Sequence, residues 1–169
     1  MQKPHRKTIA AFLAGCLLAT SGAASAVRPR QSRPDNRSAV AFLAQTIRRI
    51  AANDYAAVWP NLYPPQRTAI PESQYVACES AAPVVGRLRS LTPLKVRRSR
   101  IHVAGGPPRR VDSVAVTFRI VASPEAASGQ GLIHTVHAIA IAGRWTWILP
   151  PARFAHDRTA SCSLTSSDL

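Results

Sequence analysis

The chain has 169 residues, formal net charge +14 and 46% apolar residues, enough for one domain with its own core. Three of the 22 basic residues, Lys3, Arg6 and Lys7, precede residue 27, and all eight acids follow it; the remainder keeps 19 basic against 8 acidic residues, a net +11. Arginine far outnumbers lysine and no nucleic-acid motif accompanies the charge, so we read the arginine excess as compositional bias and do not expect nucleic acid as a partner.

Residues 1–26 have the form of an export signal. Lys3, Arg6 and Lys7 make a positive start, residues 8–20 an apolar run too short to span a bilayer, and Ala24-Ser25-Ala26 a small-x-small cleavage site. Cleavage before Val27 and a secreted or envelope-associated product are expected. The alternative is a lipobox, Leu13-Ala14-Gly15-Cys16, with Cys16 as the lipidated residue; Leu17 and Leu18 continue the apolar run beyond it, which argues for simple cleavage. Residues 27–37 are Pro- and Arg-rich, without periodicity, and read as a flexible linker.

The folded domain is expected over 38–155. Ser38 is the expected N-cap of a first helix, with Asp35 and Asn36 as alternatives. Leu43, Ile47, Ile50 and Ala51 form its apolar face, and it ends near Asn53. A short helical piece carries Tyr55 and Trp59 until Pro60. Pro65 is placed at the start of another turn, and the stretch 74–80 sets Tyr75 and Cys78 on one face.

Beyond Pro83 the texture turns to alternation. Residues 84–89 and 94–103 read as two pieces of a strand bent at 90–93. Gly105-Gly106-Pro107-Pro108 is a turn, and 111–121 is the cleanest strand. Residues 132–141 and 144–149 make a further hairpin about Ala142-Gly143, closed by Pro150-Pro151. The tail, 156–169, has no pattern. Helices followed by sequential hairpins give an α+β domain, the N-terminal helices packed on an antiparallel meander.

Asp54-Tyr55 with Trp59, Leu62-Tyr63-Pro64, Gln66-Arg67, Tyr75-Val76-Ala77-Cys78 and Gly143-Arg144-Trp145-Thr146-Trp147, in this order and spacing over about residues 38–155, carry a resemblance. The chain resembles the nuclear transport factor 2-like (SnoaL-like, cystatin-like cone fold) superfamily, in particular its small exported actinobacterial members. The resemblance implies a curved sheet wrapped around the first helices and a conical cavity. On that reading Tyr55, Trp59, Tyr75, Phe118, His137 and Trp147 are the candidates to line a pocket for a small apolar ligand or a protein partner, with no cofactor. The family also contains isomerases and dehydratases, so a cone-fold enzyme is the alternative, although no catalytic residue of the family carries over to this chain.

The residues themselves offer little catalytic chemistry. Asp54 with His134 or His137 is the one acid–base pairing to consider, and an exposed helix-end Asp54 is the plain alternative. His134 and His137 are three apart on a strand and face opposite ways, so they do not share a metal; no metal site is expected. Arg97, Arg98, Arg100, Arg109 and Arg110 cluster around one hairpin. They form either a basic surface for unspecific contact with anionic envelope polymers or lipid headgroups, or a charged edge that discourages sheet-to-sheet association. After cleavage Cys78 and Cys162 are the two remaining cysteines, and export favours a disulfide between them; two free thiols are the alternative.

Overall fold

The structure is a computed structural model that describes residues 35–123, 131–160 and 162. The expected leader, with Cys16 and the expected cleavage site, most of the expected linker, and the end of the tail lie outside the described residues. So do residues 124–130 of the loop before the third long strand.

Among the described residues, five helices and four strands follow in the order α1 (Asn36–Ala51), α2 (Tyr55–Val58), a 3-10 turn (Trp59–Asn61), α3 (Pro64–Ala69), α4 (Glu72–Ala81), β1 (Leu88–Ile101), β2 (Val111–Ala122), β3 (Leu132–Ile141), β4 (Arg144–Trp147) and α5 (Pro151–Arg158). The strands form one open antiparallel sheet in the order β1-β2-β3-β4. The fold class is therefore α+β, with helices on a meander sheet.

Helix α1 starts at Asp35, not Ser38. The Asp35 carboxylate accepts from the Ser38 backbone N–H at 2.7 Å, and the Ser38 hydroxyl donates to the Asp35 carbonyl at 2.8 Å. Asn36 and Arg37, assigned to the linker by their composition, are its first turn. The buried face is Ala39, Leu43, Ala44 and Thr46, with Ile47 and Ile50 partly covered. Asn53 ends the helix region with φ +57°, a left-handed conformation that asparagine tolerates. Its amide then exchanges bonds with residue 84: Val84 N–H donates to Asn53 Oδ1 at 2.8 Å and Asn53 Nδ2 donates to the Val84 carbonyl at 3.3 Å.

Two strand-half expectations are corrected. β1 is one continuous strand, and residues 84–87 lie outside it. The expected bend appears as two register shifts against β2, at Leu88/Ser90 and Pro93/Lys95. Pro93, which has no N–H to donate, is tolerated because β1 is an edge strand. The tail is also less formless than its composition suggests: Pro151 opens α5, so residues 156–158 are helical.

Strand alternation divides the sheet. Val96, Val114, Val116, Phe118, Val136, Ala138 and Trp147 occupy matching register positions on one face, and those of β2, β3 and β4 pack with Ala39, Leu43, Tyr55, Val58, Leu62, Ile70 and Tyr75 of the helices. At one end of the second face Val103, from the β1–β2 loop, packs with Tyr63 and Ile139. That loop continues to the helical side of the β4 edge. The Ala104 carbonyl accepts from Gln66 Nε2 at 3.0 Å, and Gly105, at φ +73°, lies so close to Phe154 that a Cβ there would meet the ring at 2.5 Å. At the β4 edge, Leu62 bridges to Trp147 in parallel, and Tyr63 N–H donates to the Trp147 carbonyl at 2.8 Å.

Candidate functional site

The aromatic candidates are brought together, but as core. Tyr55, Tyr75, Phe118 and Trp147 are buried in the main cluster and Trp59 packs against it. Tyr75 and Trp147 meet edge to face at 6.5 Å between ring centroids. Three polar ends are tied locally: Trp147 Nε1 donates to the Val58 carbonyl at 3.3 Å, Trp59 Nε1 to the Ile70 carbonyl at 2.9 Å, and the Tyr55 hydroxyl to Asn53 Oδ1 at 2.6 Å, whereas the buried Tyr75 hydroxyl has no hydrogen-bond partner. None of these side chains lines either of the two concavities described next.

The smaller concavity, about 230 Å³, lies between α1 and the α2 region and is lined by Phe42, Gln45, Thr46, Arg49, Val58 and Asn61. Arg49 and Asn61 both donate to the Ala57 carbonyl across it, at 2.7 and 3.4 Å. The larger, about 610 Å³, is a shallow groove where the helix-bearing face of the sheet runs past the start of α1. Arg98, Arg100, Asp112, Ala140 and Trp145 line it, with Ser99, Ser113 and Val114. Register explains the lining: Arg98 is opposite Val114, Arg100 opposite Asp112, and Ala140 opposite Trp145, all on one face. Trp145 Nε1 donates to the Ser38 hydroxyl at 2.9 Å, which holds the indole at the end of α1.

The arginine cluster is therefore split by the pleat. Arg98 and Arg100 belong to the groove, and Arg97 falls on the opposite face with His137, whose backbone position matches Ala115 as does that of Arg97. Arg109 and Arg110 are exposed in the loop before β2. Arg100 Nε is 3.3 Å from Asp112 Oδ1, both side chains well exposed, a pair worth little in stability.

His134 and His137 do occupy opposite faces, opposite Phe118 and Ala115 respectively. His137 Nδ1 is 3.2 Å from the Ser113 hydroxyl, which in turn is 2.8 Å from the Ser99 hydroxyl. Burial, and then the positive charge of Arg97, push His137 below the usual histidine range, so it is neutral at pH 7. Ser113 is only 5% exposed, and among the described residues no carboxylate is hydrogen-bonded to His137, so the pair lacks the third group that would orient the base. Asp54 is exposed at the α1–α2 junction and its side chain caps nothing there.

A buried polar cluster between α4 and α5 escaped the sequence reading. Arg153 donates from Nε and Nη2 to the two oxygens of Glu79, at 2.7 and 2.6 Å, with side chains 12% and 9% exposed. Arg153 Nε is also 3.8 Å from Asp157 Oδ1, and His156 Nδ1 is 3.1 Å from that same oxygen. Burial would lower the Arg153 pKa, but the Glu79 bond and the surrounding carboxylates raise it on balance. Burial pushes Asp157 up to about 6 and raises Tyr75 far above the usual tyrosine range. Gln74 Nε2 donates to the Asp157 carbonyl at 2.5 Å and the Arg158 carbonyl at 3.1 Å, closing the same corner. Beside it Cys78 and Cys162 form the expected disulfide, with Cα atoms 4.4 Å apart.

Comparison with protein-family models, with curated proteins and with solved structures gave no match to this chain. Among the described residues no helix is long and apolar enough to cross a membrane. What the fold itself defines is an α+β domain with a packed aromatic core, a basic groove on its sheet and a disulfide-tethered C-terminal helix.

Proposed function

We propose that this chain is an exported, non-catalytic binding domain of the nuclear transport factor 2-like type, and that it holds an anionic cell-envelope polymer in the groove of Arg98, Arg100 and Trp145. The observation that carries the reading is that this concavity is open and lined by two arginines and an indole, whereas the aromatics expected to line an apolar cone are closed into the core. A guanidinium offers bidentate bonds to phosphate or carboxylate, and the half-buried indole of Trp145 adds an apolar wall to the groove. The remaining positive charge, net +11 beyond residue 26, draws a polyanion toward the groove from a distance. The order of helices before a meander sheet, with α1 on one face, supports the family reading. The leader pattern, together with a disulfide of the kind that persists in oxidising compartments, supports export.

The test is retention on an immobilised sulfated polysaccharide as the salt concentration rises. Arg98→Ser with Arg100→Ser is compared with Arg97→Ser and Arg119→Ser, which remove the same charge from the opposite face. Elution of the groove variant at clearly lower salt than the control supports the groove; equal shifts assign retention to net charge alone and overturn it.

A further inference from the structure

The two edges of the sheet are finished differently. β4 is four residues long, and its outer side is met by Leu62 and by the Tyr63 N–H, which donates to the Trp147 carbonyl. β1 is 14 residues long and pairs with β2 on one side only. Among the described residues no backbone group outside the sheet bonds to it. Alternate N–H and C=O groups of β1 therefore point outward and can pair with a further strand.

This free edge has two halves. Residues 88–94 carry the proline and both register shifts, and these interrupt any strand laid along them. Over residues 95–101 the register against β2 is unbroken. Lys95, Val96, Arg97, Arg98 and Arg100 are exposed there, and no acid lies within β1. By register Lys95 and Arg97 lie on the open face, opposite Thr117 and Ala115, and Arg98 and Arg100 on the helix-bearing face, opposite Val114 and Asp112.

Positive charge on both faces decides which strand this half can accept. A second copy paired through β1 would bring its own four cations against these four, which is repulsive. A strand with carboxylates at the matching positions is attracted. The sheet already holds one such pairing: Asp112 on β2 stands opposite Arg100, with its Oδ1 3.3 Å from Arg100 Nε.

We propose that residues 95–101 of β1 are a docking edge for an acidic, extended segment of a partner protein, which adds to the sheet as a further antiparallel strand. Backbone hydrogen bonds to the free side of β1 supply affinity. Carboxylates facing Lys95 and Arg97 on one face, and Arg98 and Arg100 on the other, supply selection. Pro93 and the register shift beside it limit pairing at one end. The groove needs neither Lys95, Arg97 nor the free backbone, so polymer binding and strand addition stand or fall separately.

The experiment uses the full, oxidised chain and a fluorescein-labelled, amidated heptapeptide, Val-Glu-Thr-Glu-Glu-Val-Glu. In antiparallel register it sets a glutamate opposite each of the four cations. Binding is read by anisotropy at low ionic strength. Two analogues are N-methylated, one at its second, fourth and sixth residues, the other at its third, fifth and seventh; both keep the charge. A strand pairs through one edge, so one analogue should bind as the parent does and the other should lose at least about tenfold in affinity. Alternate amides of residues 95–101 should gain protection from hydrogen exchange when the parent binds. Lys95→Glu with Arg97→Glu should weaken the parent at least about tenfold. The analogue pair leaves the protein unaltered and so decides the matter even if that variant loosens the fold. Absence of binding overturns the proposal, as does protection confined to segments other than β1. Equal binding by the two analogues also overturns it, because charge alone would then hold the peptide. A dimer of the free chain in sedimentation, with β1 amides protected without peptide, makes a second copy the occupant and overturns it too.

Discussion

The side-chain amide of Gln66 pairs with the backbone of Leu149 as a second strand would. Leu149 N–H donates to Gln66 Oε1 at 2.9 Å, and Gln66 Nε2 donates back to the Leu149 carbonyl at 3.2 Å and to the Ala104 carbonyl at 3.0 Å. Gln66 is fully buried, so one residue of α3 satisfies the chain leaving β4 and the β1–β2 loop together. Gln66→Leu keeps the volume and strands these backbone groups. Each buried unmatched group costs about 1–3 kcal/mol, and we expect a loss of about 3 kcal/mol in urea unfolding. A loss under about 0.5 kcal/mol would mean that water replaces the amide.

Opening the disulfide should destabilise the fold. The bridge closes a loop of sequence separation 84, worth about 4.5 kcal/mol in the chain-entropy account. Denaturation midpoints with and without reductant should differ accordingly. Thiol titration of the denatured, unreduced protein should find neither Cys78 nor Cys162 reactive.

Asp157 sets a pH dependence of unusual sign for a carboxylate. Its folded pKa, raised to about 6 by burial, exceeds its ordinary value of 3.8, so the native state binds the proton more tightly than the unfolded chain. The stabilisation is complete below about pH 4 and is lost as pH rises through about 6, on the order of 3 kcal/mol in all. Asp157→Asn, neutral throughout, should flatten the stability profile between pH 4 and 6.5. An unchanged slope would assign it to another group.

Removing one partner of the Glu79–Arg153 pair should cost more than removing both. Arg153→Met leaves a buried carboxylate without its guanidinium, and Glu79→Gln leaves the reverse; about 3 kcal/mol or more is expected for either. The double variant Glu79→Gln, Arg153→Met should recover part of the loss. Thermal unfolding of the four proteins gives the coupling directly, and simple additivity would show the pair to be energetically idle.

The six aromatic and histidine candidates illustrate where sequence reasoning stops. Spacing placed Tyr75 with Cys78 on one helix face, and alternation placed Val114, Val116, Phe118 and Ile120 on one sheet face, because both are consequences of local geometry. Whether such a face borders a cavity or a neighbouring side chain depends on how far apart the layers sit. No periodicity encodes that distance, and here the helices close onto the sheet.

The sequence by itself determined the α+β class, the meander and the opposed directions of His134 and His137, since period and turn residues are local; it favoured a Cys78–Cys162 bridge on the expectation of export, with free thiols as the alternative, and the structure forms that bridge. Only the tertiary structure decided the rest. It divided the arginines between two faces of the sheet, turned the first residues of the apparent tail into α5, and gathered Glu79, Arg153, His156 and Asp157 around the disulfide. Glu79 and Arg153 are 74 residues apart. Their contact exists because α4 and α5 are brought side by side by the sheet between them, and burial then changes the chemistry of charges that, in the sequence, look like ordinary surface residues.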